Sequence, residues 1–365
     1  MKTVTPKLTH SFIYLQYLRG VAAMMVVYFH SVVQLKNFGI EKPLLPMMGE
    51  SGVDLFFVLS GFLMWITTSG KTVSPGSFLL KRLMRIVPLY WMLTLTAGAA
   101  ALLAPSLLKH TLFEITHFIS SLMFLPAPNP SYLDPADAGL KLTPILVPGW
   151  TLNYEMFFYV VFAVVLLFPQ RLRLPLVAGT FVVIALARLY YAQDSAALEF
   201  YGNPIVFEFV MGIGVAMLVK RRWLLSSGWA TLMTLAALAL MLLANFNDLV
   251  ISRPIAFGIP AAFIVYGLCS MEIHGVLRNF KGLRIVGDAS YSLYLTHVFT
   301  LVVCRILFQH VYKVDSVATE IAFVALCLAL SVTVGVATYF VYEKPTSGWL
   351  NKFKTRAVVP ADAHT

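Results

Sequence analysis

Residues 13–33 read IYLQYLRGVAAMMVVYFHSVV, an apolar and aromatic run broken by Gln16, Arg19, His30 and Ser31. A helix of that length rises about 31 Å, enough to cross the ~30 Å hydrocarbon of a bilayer. Eleven residues at 100° each bring Arg19 and His30 to within about 20° of one another around the axis, so both lie on one face, ~16 Å apart along it. A spanning helix that carries a cation and an imidazole on one wall must turn that wall towards other helices rather than lipid. The rest of the 365-residue chain has the same character: 59% hydrophobic, 13% aromatic and 12% charged, against about 45–50% apolar and 25% charged in soluble domains. The class is an all-α polytopic membrane protein, which excludes a soluble enzyme, a secreted disulfide scaffold and a disordered chain.

Hydropathy predicts about ten transmembrane helices, over 13–33, 47–67, 86–104, 149–169, 174–191, 204–219, 223–243, 254–270, 288–308 and 318–342. The net charge of +10 would suggest nucleic acid in a soluble protein; here its placement matters instead. Eighteen of the 27 Lys and Arg fall on the side shared by both termini and eight on the other, which predicts cytoplasmic N- and C-termini. The one long connection, 105–148, then lies outside. Its first part, 111–125, carries Glu114 and His117 and reads as a half-helix or interfacial piece. The proline-rich remainder, PAPNPSYLDPADAGLKLTPILVPGW (126–150), reads either as a lid or as an irregular surface connection. The first apolar stretch runs past signal-peptide length and is expected to be retained. Cys269, Cys304 and Cys327 fall within predicted helices and point to neither a disulfide framework nor a metal site. The expected organisation is a transmembrane domain over 1–345 and a short basic cytoplasmic tail over 346–365.

Ionisable residues in hydrocarbon are costly, so each raises a question of function. Arg19 reads as a cation for a phosphorylated donor or as a side chain snorkelling to headgroups; His30 reads as a base or as an interhelical hydrogen bond. Asp54, among Gly49, Gly52 and Gly61, reads first as a buried partner of Arg19 or His30 and second as a catalytic carboxylate. Ser60 stands in Leu-Ser-Gly, which is not a nucleophile elbow. Arg82 and Arg85, at i and i+3, suit the phosphates of coenzyme A or an ordinary positive-inside anchor. Glu155 is expected on the outer side at a depth similar to His30, where a carboxylate would hold the imidazole tautomer. Glu208 has the same ambiguity. His297, ~14 Å into its helix, is a second polar wall residue or a packing histidine.

Five segments occur together in order: LRGVAAMMVVYFH (18–30) with its R-x10-H spacing, GVDLFFVLSGFLM (52–64), KRLMRIVPLYW (81–91), PGWTLNYEMFFY (148–159) and DASYSLYLTH (288–297). From residue 17 to about 345 the chain resembles the membrane-integral acyltransferase-3 family, in particular its ExoZ-like polysaccharide O-acyltransferases. The resemblance implies transfer of an acetyl or related acyl group from cytoplasmic acyl-coenzyme A, with acetyl-CoA as donor and no metal, to a hydroxyl of envelope carbohydrate. It implies that His30 is the essential catalytic histidine with Arg19 as its motif partner, that Arg82 and Arg85 bind the donor, and that Trp150 and Glu155 form a motif beside the loop. Glu155 or Asp54 would orient the imidazole, and Trp150 and His297 would face the acceptor. Asn153 and Tyr154 stand where the family pattern has small residues. The expected partners are a polysaccharide or lipid-linked sugar and the bilayer of a bacterial inner membrane, with no nucleic acid. The rival reading is a secondary transporter or flippase for a sugar or lipid-linked glycan, although no inverted repeat or paired broken helices are visible.

Overall fold

In hydrocarbon a backbone must satisfy its own N–H and C=O groups, so long apolar runs become helices. The computed structural model describes residues 12–103, 111–132, 134, 139–246, 251–275, 280–311 and 313–357. Among them no strand occurs. The helices are α1 (Ile13–Gln34), α2 (Gly52–Thr68), α3 (Pro75–Leu103), α4 (Ile115–Leu122), α5 (Trp150–Val165), α6 (Gln170–Tyr191), α7 (Ala196–Tyr201) and α8 (Phe207–Lys220), followed by α9 (Ser227–Phe246), α10 (Ile259–Ile273), α11 (Lys281–Asp288), α12 (Ser290–Val311), α13 (Val317–Thr338) and α14 (Lys344–Ala357). One π-turn, Pro254–Gly258, leads into α10, and another, Tyr339–Glu343, joins α13 to α14.

Seven of the described helices are long and apolar enough to cross a membrane. Each of the ten expected segments contains a helix, but α2, α5 and α8 have only 17, 16 and 14 residues, or about 21–26 Å at 1.5 Å per residue. Of these short helices α2 is the most buried. α2 packs on α1, α5, α8 and α10, and its crossing with α8 is close because a Cβ on Gly61 would strike the Phe209 carbonyl and one on Gly212 the Val58 carbonyl. Glycine at such a crossing lets two backbones approach. Around it Phe57, Phe158, Phe162 and Phe209 form the core, with Phe158 and Phe209 stacked at 4.3 Å between centroids.

The structure moves several boundaries. α3 begins at Pro75, eleven residues before the expected start at 86. Proline is preorganised for the first helical position, and Ser74 Oγ accepts from the Ser77 N–H at 3.3 Å. Arg82 and Arg85 therefore sit two to three turns inside a helix rather than at its mouth. The second span begins at Gly52 and not at 47, because the preceding connection is held by Glu320, whose Oε2 accepts from the N–H groups of Leu44 at 3.0 Å and Leu45 at 3.1 Å. The expected tail continues the last helix as far as residue 357; the rest of it, like Lys2, Lys7, Lys109 and Arg278, lies outside the described residues.

The long connection is neither a loose lid nor a surface strap over its described part. Residues 104–110, 133 and 135–138 lie outside that part. Glu114 caps α4, accepting from the N–H groups of Thr116 at 3.0 Å and His117 at 2.8 Å, which matches the expected half-helix. Beyond it, Asn129 Nδ2 donates to the Thr143 carbonyl at 3.1 Å, and the Ile145 N–H donates to Ser121 Oγ at 3.0 Å. Tyr90 Oη donates to the Ser121 carbonyl at 2.9 Å. Residues 142–146 and 148–149 are buried, so the segment dips into the bundle before α5 starts. That is why α5 is short, and why its residues sit deeper than their distance from the loop suggests.

Candidate active site

The face of α1 that carries Arg19 meets α2, α3, α5 and α12 around a cleft enclosing about 770 Å³ of empty space, mouth included. Arg19, Arg82, Arg85 and Glu155 line it, with Ser60, Tyr159, Ser290, Tyr291 and Tyr294. Glu155 is fixed by two donors: Ser60 Oγ at 3.2 Å and the Tyr159 hydroxyl one turn along α5. The Arg82 guanidinium lies over the rings of Phe78 at 5.5 Å and Tyr159 at 5.8 Å, and its buried Nε has no partner among the described residues. Ser290 Oγ is also buried and unpartnered among the described residues. Glu343, on the π-turn after α13, accepts from Ser292 Oγ and lies within electrostatic reach of Arg85 and Arg19. Three guanidiniums facing one lining carboxylate make a site for an anion. Its unused Arg82 Nε and Ser290 hydroxyl fit a phosphorylated donor, since a planar fork binds phosphate oxygens bidentately.

His30 does not line that cleft. It lies further along α1, with its ring centroid 5.1 Å from that of His297 on α12 and 5.2 Å from that of Phe29. His297 is 0% exposed, whereas His30 is half-buried. Tyr294 stands between the cleft and this pair. Its ring is 5.9 Å from His297 and 5.7 Å from Phe56, which also lines the cleft. Its hydroxyl donates to the Pro148 carbonyl at 3.1 Å and lies 3.0 Å from Thr151 Oγ1.

Two expected juxtapositions differ. Glu155 joins Arg19 and Arg82 in the cleft rather than His30, because the inward dip of residues 142–149 starts α5 deep in the bundle. Asp54 is bound neither by Arg19 nor by His30. Arg253, at the entry to the π-turn before α10, donates from Nε to Asp54 Oδ1 at 3.0 Å and from Nη2 to Oδ2 at 2.9 Å, and also pairs with Glu50. Asp54 is 0% exposed, and this two-pronged contact occupies both its oxygens. Glu208, also 0% exposed, lies beside it. Trp150 lies off the cleft, edge-on to Phe57 at 6.3 Å and Tyr154 at 5.9 Å.

The structure therefore gathers the sequence candidates into an arginine cleft, a histidine pair and a buried ion pair, with Trp150 in an aromatic wall. Sequence reading passed over Arg253, Tyr159 and Tyr294. Tyr159 could have been found, since it lies at i+4 from Glu155 on one helix. Arg253 carried no local signal, because its partner is 199 positions away.

Comparison with known proteins matches residues 12–340 to the acyltransferase-3 family, described as an acyltransferase domain. The chain is 37% identical over 305 residues to the exopolysaccharide production protein ExoZ of Rhizobium meliloti (strain 1021), covering 82% of this chain and 89% of that protein. It is 32% identical over 168 residues to protein 2 in the picA locus of Rhizobium radiobacter, covering 42% of this chain and 81% of the relative. A Bacillus subtilis (strain 168) protein named "Putative peptidoglycan O-acetyltransferase YrhL" is 24% identical over 313 residues, covering 77% of this chain and 47% of its own length. No solved structure matches the chain.

Proposed function

The chain belongs to the acyltransferase-3 family and is a multi-pass membrane acyltransferase; from that premise we propose that it moves an acetyl or related short acyl group from cytoplasmic acyl-CoA to a hydroxyl of an envelope or exported polysaccharide. The name of the Rhizobium meliloti relative supports an exopolysaccharide acceptor, and that of the Bacillus subtilis relative supports O-acetylation. The observation that carries the reading is the pairing of an arginine cleft with a histidine further along the same helix.

In this reading Arg82 and Arg85 hold the donor phosphates, and Arg19 and Glu155 hold the donor's inner part. Acyl-CoA, as co-substrate, supplies the activated thioester carbonyl. His30 takes the proton of the acceptor hydroxyl as its oxygen bonds to that carbonyl carbon, and returns the proton to the departing thiolate, leaving an ester and a free thiol. Trp150 belongs to the acceptor side, and His297 stands there behind His30. Asp54 supports the site through Arg253. The same reading has ten crossings of a bacterial inner membrane, both termini cytoplasmic, with 1–345 as the transmembrane acyltransferase domain and 346–365 as a basic tail. The distribution of Lys and Arg supports that orientation.

The test is thiol release from acetyl-CoA by purified protein given isolated polysaccharide, with mass spectrometry of the glycan. His30→Ala is expected to lower the rate about 10²–10⁴-fold, the usual range for a general base. A well-folded His30→Ala protein that acylates at the wild-type rate would refute the assignment.

A further inference from the structure

His297 Nδ1 lies 2.6 Å from the Tyr294 carbonyl oxygen. A carbonyl oxygen can only accept, so Nδ1 carries the proton and donates. In a neutral imidazole the other nitrogen is then a bare lone pair. That nitrogen, Nε2, is buried and has no partner among the described residues, His30 included, so the neighbouring imidazole has to turn to bring an N–H onto it. A buried acceptor left unpaired costs on the order of 1–3 kcal/mol, which calls for a donor. The ring beside it is that of His30, 5.1 Å away between centroids and tilted by 36°. The two rings differ in access as well: His297 is 0% exposed, while His30 is half-buried. Only His30 therefore retains surface on which to meet a substrate.

We propose that His297 is a positioning residue, whose Nε2 lone pair accepts the N–H of His30 once that ring turns towards it, and so fixes its tautomer. The assignment rests on the reading of His30 as the base. With one His30 nitrogen donating to His297, the other is left bare towards the acceptor hydroxyl. When His30 takes that proton, the imidazolium already has its second N–H on an acceptor, and the charge is held in place. The Tyr294 carbonyl thus acts at one remove, by setting the tautomer of the ring that sets the next one.

The experiment compares His297→Leu and His297→Gln in the full-length protein reconstituted in nanodiscs, with acetyl-CoA and isolated polysaccharide as substrates. His297→Leu is expected to lower kcat by up to about 10⁴-fold, the loss seen when a catalytic histidine loses its tautomer partner, with the KM for acetyl-CoA unchanged. His297→Gln, whose carboxamide oxygen reaches towards the place of Nε2, is expected to recover most of that loss. In ¹⁵N spectra of histidine-labelled wild-type protein, His297 should be the Nδ1–H form and His30 a single tautomer; in His297→Leu, His30 should be a mixture. Equal losses in the Leu and Gln variants, or a His297 with its proton on Nε2, would overturn the proposal. So would a fully active His297→Leu beside a dead His30→Ala, an outcome that leaves the base assignment standing. A fully active His30→Ala removes that assignment first, and this one with it.

Discussion

Asp54 and Arg253 show how a charge is tolerated inside this bundle. Each Asp54 oxygen accepts from one nitrogen of the Arg253 fork, and Arg253 reaches on to Glu50. Breaking such a buried pair strands the remaining charge and costs about 3–5 kcal/mol, whereas an exposed partner contributes about 0–1 kcal/mol. Arg253→Met, which strands Asp54 beside Glu208, should therefore lower the thermal midpoint of the detergent-solubilised protein far more than Glu50→Gln, since the Glu50 side chain is 46% exposed. Equal shifts would show that the inner contact adds nothing. At this scale the sequence was legible where chemistry is local. The Arg19 and His30 spacing needs only helical periodicity, and the structure keeps both on the inward face of α1. The need of Asp54 for a partner was legible too, but not the identity of that partner, which depends on how α2 and the start of α10 meet.

Helices in this chain are positioned by small residues as much as by large ones. On α8, Gly212 faces the backbone of α2, while nothing lies within 4 Å of a Cβ added at Gly214. Gly212→Ala should push the two helices apart, costing about 1–3 kcal/mol as overpacking does and displacing Ser60 from Glu155. Gly214→Ala should be neutral or slightly stabilising, because alanine is the better helix former. Unfolding temperature and acylation rate, measured for both, check the contrast; matching behaviour would mean that the crossing is not tight. Helix existence was readable from hydropathy at each of the ten segments. Helix starts were less so, because the Lys81, Arg82 and Arg85 cluster resembles a membrane-surface flank, while Ser74 and Pro75 begin α3 two turns earlier.

For the molecule as a whole, the cleft is walled by three helices long enough to cross a membrane, α1, α3 and α12, and by the shorter α2 and α5. The orientation proposed from charge has a direct check. Cys269, Cys304 and Cys327 are all buried, so a single introduced cysteine should report alone. Gly139→Cys, in the long connection, should react with a membrane-impermeant maleimide added to intact cells. Gly76→Cys, at the start of α3, should react only after the cells are opened, and the reverse pattern would invert the topology. The placement of Glu155 in the cleft, apart from His30, was not legible, because it arises from the inward dip of residues 142–149, which proline-rich sequence does not announce.

Tyr294 has a consequence of another kind. If the site takes one substrate from each side of a membrane, as proposed, its polar chamber risks becoming a conduit for protons and small ions. Tyr294, 6% exposed and anchored through its hydroxyl at Pro148 and Thr151, fills the space between the arginines and the histidines with an aromatic ring. On that reading the ring is a plug as well as a wall, keeping the two charged groups from joining into one continuous path.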